Sequence, residues 1–442
     1  MRPVAGRRCA TMAATIEGGL NMKSVSRLAA FVGGAAAFVV AAWPGATLAG
    51  SIPTGKPEDV GMSSERLARI GPAMQKHIDA GEIAGVVTLV ARRGRIVHFE
   101  AHGYSDIAKR TPMRTDAIFG LASSSKPITA VAIMMLVESG DIRLSDPISK
   151  FIPEFAAPPQ VAVAKPGGPE GAFDLVPATR PITIRDLLTH GSGLLSGGLG
   201  QRAAGATAQR GPQDTLATYI PKLGTVPLDF QPGTLWRYSG LAGFDVLSRI
   251  VEVVSKQPFD EYLREQIFEP LEMPDTAFKY TGRQADRLAA VHARRDGKLE
   301  ATPRDLSQVV YFSGAGGLSA SVEDYLQFTQ MLLNGGELNG HRLLGPRTVE
   351  MMTSNHTGDM VNGQFGRPAH GMGFGLGMQV VLDPIAANLA VSKGAISWPG
   401  GSGVAHWIEP AEQLVSIYFI QGGQGGPARE AFENAVRQSI ID

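Results

Sequence analysis

Cysteine is almost missing from this chain. Its one copy, Cys9, stands near the start, so no disulfide can form within the chain and a cysteine-ligated metal has no ligands. Net charge is missing too: 41 basic residues balance 41 acidic ones. Without a basic excess there is little to neutralise a phosphate backbone, so nucleic acid is not an expected partner. No G-x-S-x-G segment occurs, which leaves an α/β-hydrolase elbow unsupported. No H-E-x-x-H segment and no clustered His/Asp set occurs either, so neither a metal nor another cofactor is expected.

The residues that are present describe a packed enzyme-sized chain. Of 442 residues, 44% are hydrophobic and 19% charged, enough for one large domain or two ordinary ones. The first 49 residues differ from the rest. Met22-Lys23-Ser24-Val25-Ser26-Arg27 is a short basic opening, Leu28 to Ala42 is uncharged and rich in Ala, Val and Phe, and small residues continue to Ala49. This is the three-part pattern of a secretory signal. The apolar run falls short of the ~20 residues that a spanning helix needs, and Pro44-Gly45 breaks the chain just after it. We therefore expect an upstream extension and signal peptide over 1–49, with Met22 as a second candidate start. Cleavage after Ala49 would give a periplasmic or secreted protein with no stable membrane insertion. Cleavage also removes Cys9 and more basic than acidic residues, leaving a thiol-free, mildly acidic domain over 50–442.

Periodicity places the elements. After Ser63, the residues Leu67, Ile70, Met74 and Ile78 recur at helical spacing, and Gly81 closes the run. Val86 to Arg92 and Arg95 to Ala101 are β-rich on either side of Arg93-Gly94, which predicts a hairpin. Mostly helical patterns come next, interrupted by Pro/Gly-rich stretches at Pro158–Pro181 and Ser196–Pro212. Strand-like runs return at Val404 to Ile408 and Leu414 to Gln421. A turn from Gly422 to Pro427 and a last helix from Ala428 to Ile441 complete the chain. The expected class is α/β (α+β). Terminal segments (about 55–120 and 310–442) form an antiparallel sheet flanked by helices, with a mostly helical part (about 121–309) inserted. A site would sit at the seam between the two parts.

One nucleophile motif survives this search. Lys126 alone among the lysines has a serine three residues before it, in Leu121-Ala122-Ser123-Ser124-Ser125-Lys126-Pro127. Apolar Val131, Met134, Met135 and Val137 then predict a helix ending at Gly140. Residues at i and i+3 share a helix face, so the Lys126 amine can reach the Ser123 hydroxyl. A cation there lowers the cost of alkoxide, and a buried lysine can itself take the proton. The plainer reading of these four residues is a serine helix cap leading into a solvated lysine.

Further segments bear on that choice. The Ser123 helix resembles the nucleophile helix of the class C β-lactamase and penicillin-binding-protein-like serine hydrolases. In the same order, Leu187-Leu188-Thr189-His190-Gly191-Ser192-Gly193-Leu194 resembles their L-L-T-H-x-S-G-L signature. Pro232-Gly233 through Tyr238-Ser239 resembles P-G-x-x-x-x-Y-S, Gly314 to Leu318 resembles G-x-G-G-L, and Trp398-Pro399-Gly400 stands where they carry K-T-G, H-x-G or W-x-G. The resemblance implies an acyl-enzyme serine hydrolase with Ser123 as nucleophile, Lys126 beside it and Tyr238 as a phenolate base. It also implies an oxyanion hole from the backbone N–H groups of Ser123 and Gly401. His190, within a signature, and His406, on an expected strand, are read as buried structural residues.

Two departures bear on substrate. Gly240 replaces the Asn of Y-x-N, and Trp398-Pro399 replaces the Lys and Thr of K-T-G. Gly240, Trp398 and Gly400 then line a pocket with an aromatic wall and no amide or carboxylate partner, each such charge-assisted bond being worth ~1.5–3 kcal/mol. This pattern resembles the family VIII carboxylesterases, and implies a carboxylesterase acting on neutral short or medium acyl esters. A β-lactamase or D-Ala-D-Ala carboxypeptidase, an acyltransferase, and a non-catalytic penicillin-binding-like module are the alternatives; the last predicts a broken Ser/Lys/Tyr set, and the set is intact. The expected partner is a small-molecule ester or lactam. For the exported form, Edman sequencing of protein from its native host should begin at Gly50; recovery of the uncleaved chain in membranes would overturn the signal-peptide reading.

Overall fold

The computed structural model describes residues 52–361, 370–422 and 425–442. The expected signal segment, 1–49, lies outside them. The architecture is built on an eight-stranded antiparallel sheet. Its strands are β1 (Gly85–Arg92), β2 (Arg95–Asp106), β3 (Thr111–Pro112), β4 (Met372–Phe374), β5 (Gln379–Val381), β6 (Ile396–Ser397), β7 (Ala405–Glu409) and β8 (Leu414–Phe419). Across the sheet the order is β4-β5-β6-β7-β8-β1-β2-β3. The two ends of the chain meet at its centre, where β1 runs antiparallel to β8 from Val87 opposite Phe419 to Arg92 opposite Leu414.

Every residue of β1 is buried, so helices must cover both faces. Side chains alternate across a strand, and β1 divides accordingly. Val86 and Val90 join a cluster with Ile70 and Met74 of α1 (Ile70–Asp79) and Phe432 and Val436 of the last helix, Gly426–Gln438. Val87, Leu89 and Ala91 face the main core. That core contains α2 (Lys126–Glu138), α3 (Ala242–Ser255) and α4 (Val322–Leu333). Most of α2, from Lys126 to Met134, is buried on all sides, as expected of a helix apolar all round. It lies at the centre of the inserted part and places the Ser123 turn at the sheet.

The sheet from the two chain ends, the hairpin at Arg93-Gly94 and the last helix agree with the sequence patterns. Three differences have local causes. The first expected helix breaks into Ser64–Leu67, capped by the Ser63 hydroxyl, and α1. The strands β4 to β6 went unread because they hold only two or three residues each, too few to show alternation. The inserted part also contains two hairpins, Gln160–Ala164 with Phe173–Pro177 and Val291–Arg295 with Lys298–Thr302. The first falls inside a stretch that its prolines and glycines marked only as irregular.

Arg92 closes the seam between the chain ends. Its side chain is only 2% exposed. It donates to the carbonyls of Val60, Gly61 and Glu412 and to the carboxylate of Glu412, and also to the backbone oxygen of Asp442. Removing it strands several buried acceptors. Arg92→Ala should therefore lose about 3 kcal/mol of unfolding free energy. The exposed Arg347→Ala should stay within about 0.5 kcal/mol of wild type in the same urea titrations.

Candidate active site

The nucleophile turn is built under strain. Ala122 has φ 45°, a region costly for a residue with a Cβ. Ala122 opens a short 3-10 turn, Ala122–Ser125, which runs directly into α2. Around this turn the structure brings together three of the expected residues. Ser123 Oγ lies 2.5 Å from the Tyr238 hydroxyl and 3.3 Å from Lys126 Nζ.

Lys126 decides the chemistry. Its side chain is buried, and Nζ donates to two carbonyl oxygens, those of Gly240 and Ala315, each at 2.7 Å. A carbonyl can only accept. As an ammonium, Nζ has three N–H bonds for these two carbonyls and Ser123 Oγ; on losing a proton it keeps two for the carbonyls and turns its lone pair to Ser123 Oγ. Burial also lowers its pKa, opposed by the negative charge of Asp245, and the result is about 7. Tyr238 behaves in the opposite sense. Burial raises its pKa, while hydrogen bonds from Ser123 and Trp398 pull it back. Burial thus disfavours a Tyr238 phenolate, and the Lys126 amine stands beside it. The apolar surroundings that disfavour the phenolate also disfavour the ammonium, which brings the Lys126 amine into the range where it can take a proton near neutral pH.

Tyr238 is aimed by His190. The His190 carbonyl accepts from Arg237 N–H, and its Nδ1 accepts from Ser239 N–H, which puts the ring proton on Nε2. The ring lies edge-on to Tyr238, with centroids 4.7 Å apart. Burial and the nearby Lys126 push the His190 pKa well below the usual histidine range. A neutral imidazole with this role is structural, as expected. His406 is likewise buried, with a pKa of about 3.

The Trp398-Pro399-Gly400 strand end is held against the nucleophile turn. Ser124 Oγ donates to Trp398 O at 2.8 Å, and Ser402 Oγ donates to Gly120 O at 2.5 Å. A Cβ on Gly400 would fall 2.1 Å from Leu121 O, so only glycine permits this approach. Gly401 beside it has open space, and its N–H meets no acceptor among the described residues. Trp398, one of the expected pocket residues, is only 6% exposed, packed on Tyr238 and Phe374 at 5.2 and 5.1 Å between ring centroids. Most of its surface is spent backing Tyr238 within the aromatic cluster around His190.

Space for a substrate lies on the Gly240 side. A cleft of about 650 Å³ is lined by Gly240, Leu241, Asp245, Arg210, Tyr219 and Tyr311, among others. A Cβ on Gly240 would meet nothing within 4 Å, so the missing side chain widens this cleft. Asp245, which sequence reasoning missed, is its buried floor. It accepts from the hydroxyls of Tyr311 and Ser313 at 3.0 and 2.6 Å and from Ala315 N–H at 3.2 Å. It thereby fixes the loop whose Ala315 carbonyl holds Lys126. Its position seven residues after Tyr238 on a helical pattern was the available signal. Among the described residues no group of His, Asp and Glu is arranged to hold a metal ion, and no helix is long and apolar enough to cross a membrane.

With the geometry in view, comparison with known proteins is decisive at the family level. The sequence model of the Beta-lactamase family matches residues 70–438. The chain belongs to the Beta-lactamase family. Protein Rv1367c of Mycobacterium tuberculosis is 35% identical over 360 residues, covering 78% of this chain and 87% of that protein. Esterase EstB of Burkholderia gladioli is 29% identical, covering 84% and 94%. The solved structure of EstCE1, described as a hydrolase with promiscuous acyltransferase activity, superposes with a TM-score of 0.73 at 27% identity. It covers 84% of this chain and 99% of that one. The family is that of β-lactamase-fold serine hydrolases, in agreement with the sequence motifs.

The Lys126 environment has a direct readout. The rate of fluorophosphonate labelling should rise with pH through about 7 as the amine loses its proton. The Asp245 charge favours the lysine cation, so Asp245→Asn should move that midpoint to lower pH. An unmoved midpoint would remove Asp245 from the electrostatics of the site.

Proposed function

We propose that this protein is a carboxylesterase acting through an acyl-enzyme on Ser123, with neutral short or medium acyl esters as its substrates and a place of action outside the cytoplasm. The observation that carries the reading is the contact set of Lys126: a buried amine held by two carbonyls with its third contact on the Ser123 hydroxyl, which the Tyr238 hydroxyl also reaches. The esterase among its relatives supports the choice of substrate class, as does the absence of side-chain partners at Gly240 and Pro399 for an amide and a carboxylate.

In this mechanism the Ser123 proton passes to Lys126 Nζ as Oγ attacks the ester carbonyl carbon. The electron pair of the carbonyl moves onto its oxygen, which the N–H groups of Ser123 and Gly401 receive. Collapse of this intermediate breaks the bond to the alcohol oxygen. The proton returns from Lys126 by way of the Tyr238 hydroxyl to that departing oxygen. A water then repeats the sequence on the acyl-enzyme, releasing the carboxylic acid and restoring the serine.

Ser123→Ala should lower kcat/KM on p-nitrophenyl butyrate by about three orders of magnitude or more, and a fluorophosphonate adduct should map to Ser123 rather than Ser192 or Ser402. Wild type should also turn over that ester with a higher kcat/KM than nitrocefin. A nitrocefin value equal to or above the ester value would sink the esterase reading and favour a β-lactamase or D-Ala-D-Ala carboxypeptidase.

A further inference from the structure

The cleft beside Gly240 contains a cation that the catalytic scheme does not use. The Arg210 guanidinium stacks over the Tyr311 ring, 4.3 Å from its centroid, and lines the cleft. No hydrogen bond or ion pair engages its N–H groups among the described residues. The two carboxylates nearby are committed elsewhere. Asp214 pairs with Lys222 at 2.8 Å and accepts from Gly211 N–H and the Thr218 hydroxyl. Asp245 is 2% exposed and holds Tyr311, Ser313 and Ala315.

The position of Arg210 is also built. Tyr219 donates to Ala208 O at 2.7 Å, and Gly211 N–H donates to Asp214 at 2.7 Å, so the chain is tied down on both sides of Arg210. The Tyr219 and Tyr311 rings meet edge-on, 6.0 Å apart, and Asp245 anchors the Tyr311 hydroxyl. An arginine stacked on a fixed ring keeps its planar fork free for a planar, two-oxygen acceptor. Holding it there in advance reduces the ordering that a ligand must bring about.

We propose that the cleft is the subsite for a remote carboxylate of the substrate, and that Arg210 receives it. This rests on the ester-hydrolase reading but replaces its neutral substrates: the ester attacked carries a carboxylate at its far end, away from Gly240 and Pro399. Gly240 lines the cleft and its carbonyl also holds Lys126, so the cleft adjoins the catalytic lysine, and a group lying in it is within the span of a medium-length ester attacked by Ser123. Its volume suits a medium chain or a ring.

The test uses pairs of esters that differ only at the far end. On the acyl side, p-nitrophenyl hydrogen suberate is compared with p-nitrophenyl methyl suberate. On the alcohol side, the butyrate ester of 3-(4-hydroxyphenyl)propanoate is compared with that of its methyl ester. In wild type one of the two pairs should show a kcat/KM preference for the free carboxylate of about tenfold or more, the size of one charge-assisted hydrogen bond. Arg210→Ala should bring that ratio close to one, and Arg210→Lys should keep part of it. Ratios near one for both pairs in wild type, or a ratio unchanged in Arg210→Ala, would overturn the proposal. If no ester is turned over, the esterase reading fails by itself. Calorimetric binding of monomethyl suberate against dimethyl suberate to Ser123→Ala protein, with and without Arg210→Ala, then decides the subsite independently. Equal binding of the two would overturn it.

Discussion

A lysine amine sealed away from water governs this structure. An ammonium at that depth is costly unless every N–H finds an acceptor, and here the acceptors are two main-chain carbonyls and one serine hydroxyl. The carbonyls come from distant parts of the chain, Gly240 before α3 and Ala315 before α4. Seating Lys126 therefore requires the nucleophile turn, the tyrosine loop and the glycine-rich turn to arrive together. The constraint that satisfies the ammonium is the same one that holds it against Ser123, so that loss of one proton turns its lone pair to that hydroxyl.

The surroundings of that amine are arranged in successive layers. Asp245 holds the Ala315 loop through its N–H and places a negative charge within reach of Lys126. His190 holds the Tyr238 loop by ring and carbonyl, and Trp398 packs against the tyrosine as well. The aromatic residues exclude water, and without water both the lysine and the tyrosine are driven toward their neutral forms. A neutral amine and a neutral phenol beside a serine can exchange one proton back and forth, which an acyl transfer in two halves requires.

Open space adjoins a different part of the chain. The cleft is bounded by loops of the inserted part, where Gly240 gives up a side chain and Arg210 offers one. The loop carrying Arg210 lies in a stretch whose glycines and prolines read only as irregular. Its order comes from single contacts, Tyr219 to Ala208 and Asp214 to Gly211, that no local pattern announces. Loops of this kind vary more readily than the sheet that supports them. The same catalytic turn can thus serve esters, lactams or acyl transfer as they change.

The sequence by itself determined the nucleophile turn, the order of the motifs and the pairing of the two chain ends. These depend on spacing: a serine three residues before a lysine shares its helix face, and a β-rich run at each end of the chain needs a partner. Tertiary structure decided what spacing cannot express. Whether Trp398 faces substrate or core depends on the packing around His190. How far burial shifts Lys126 and Tyr238 toward their neutral forms depends on the elements that close over them. The three short strands at the sheet edge are added one on another, β6 on β7, β5 on β6 and β4 on β5, rather than by any preference of their own residues. Asp245 became legible only when the Ala315 loop closed over it, because its role lies in contacts some seventy residues away along the chain.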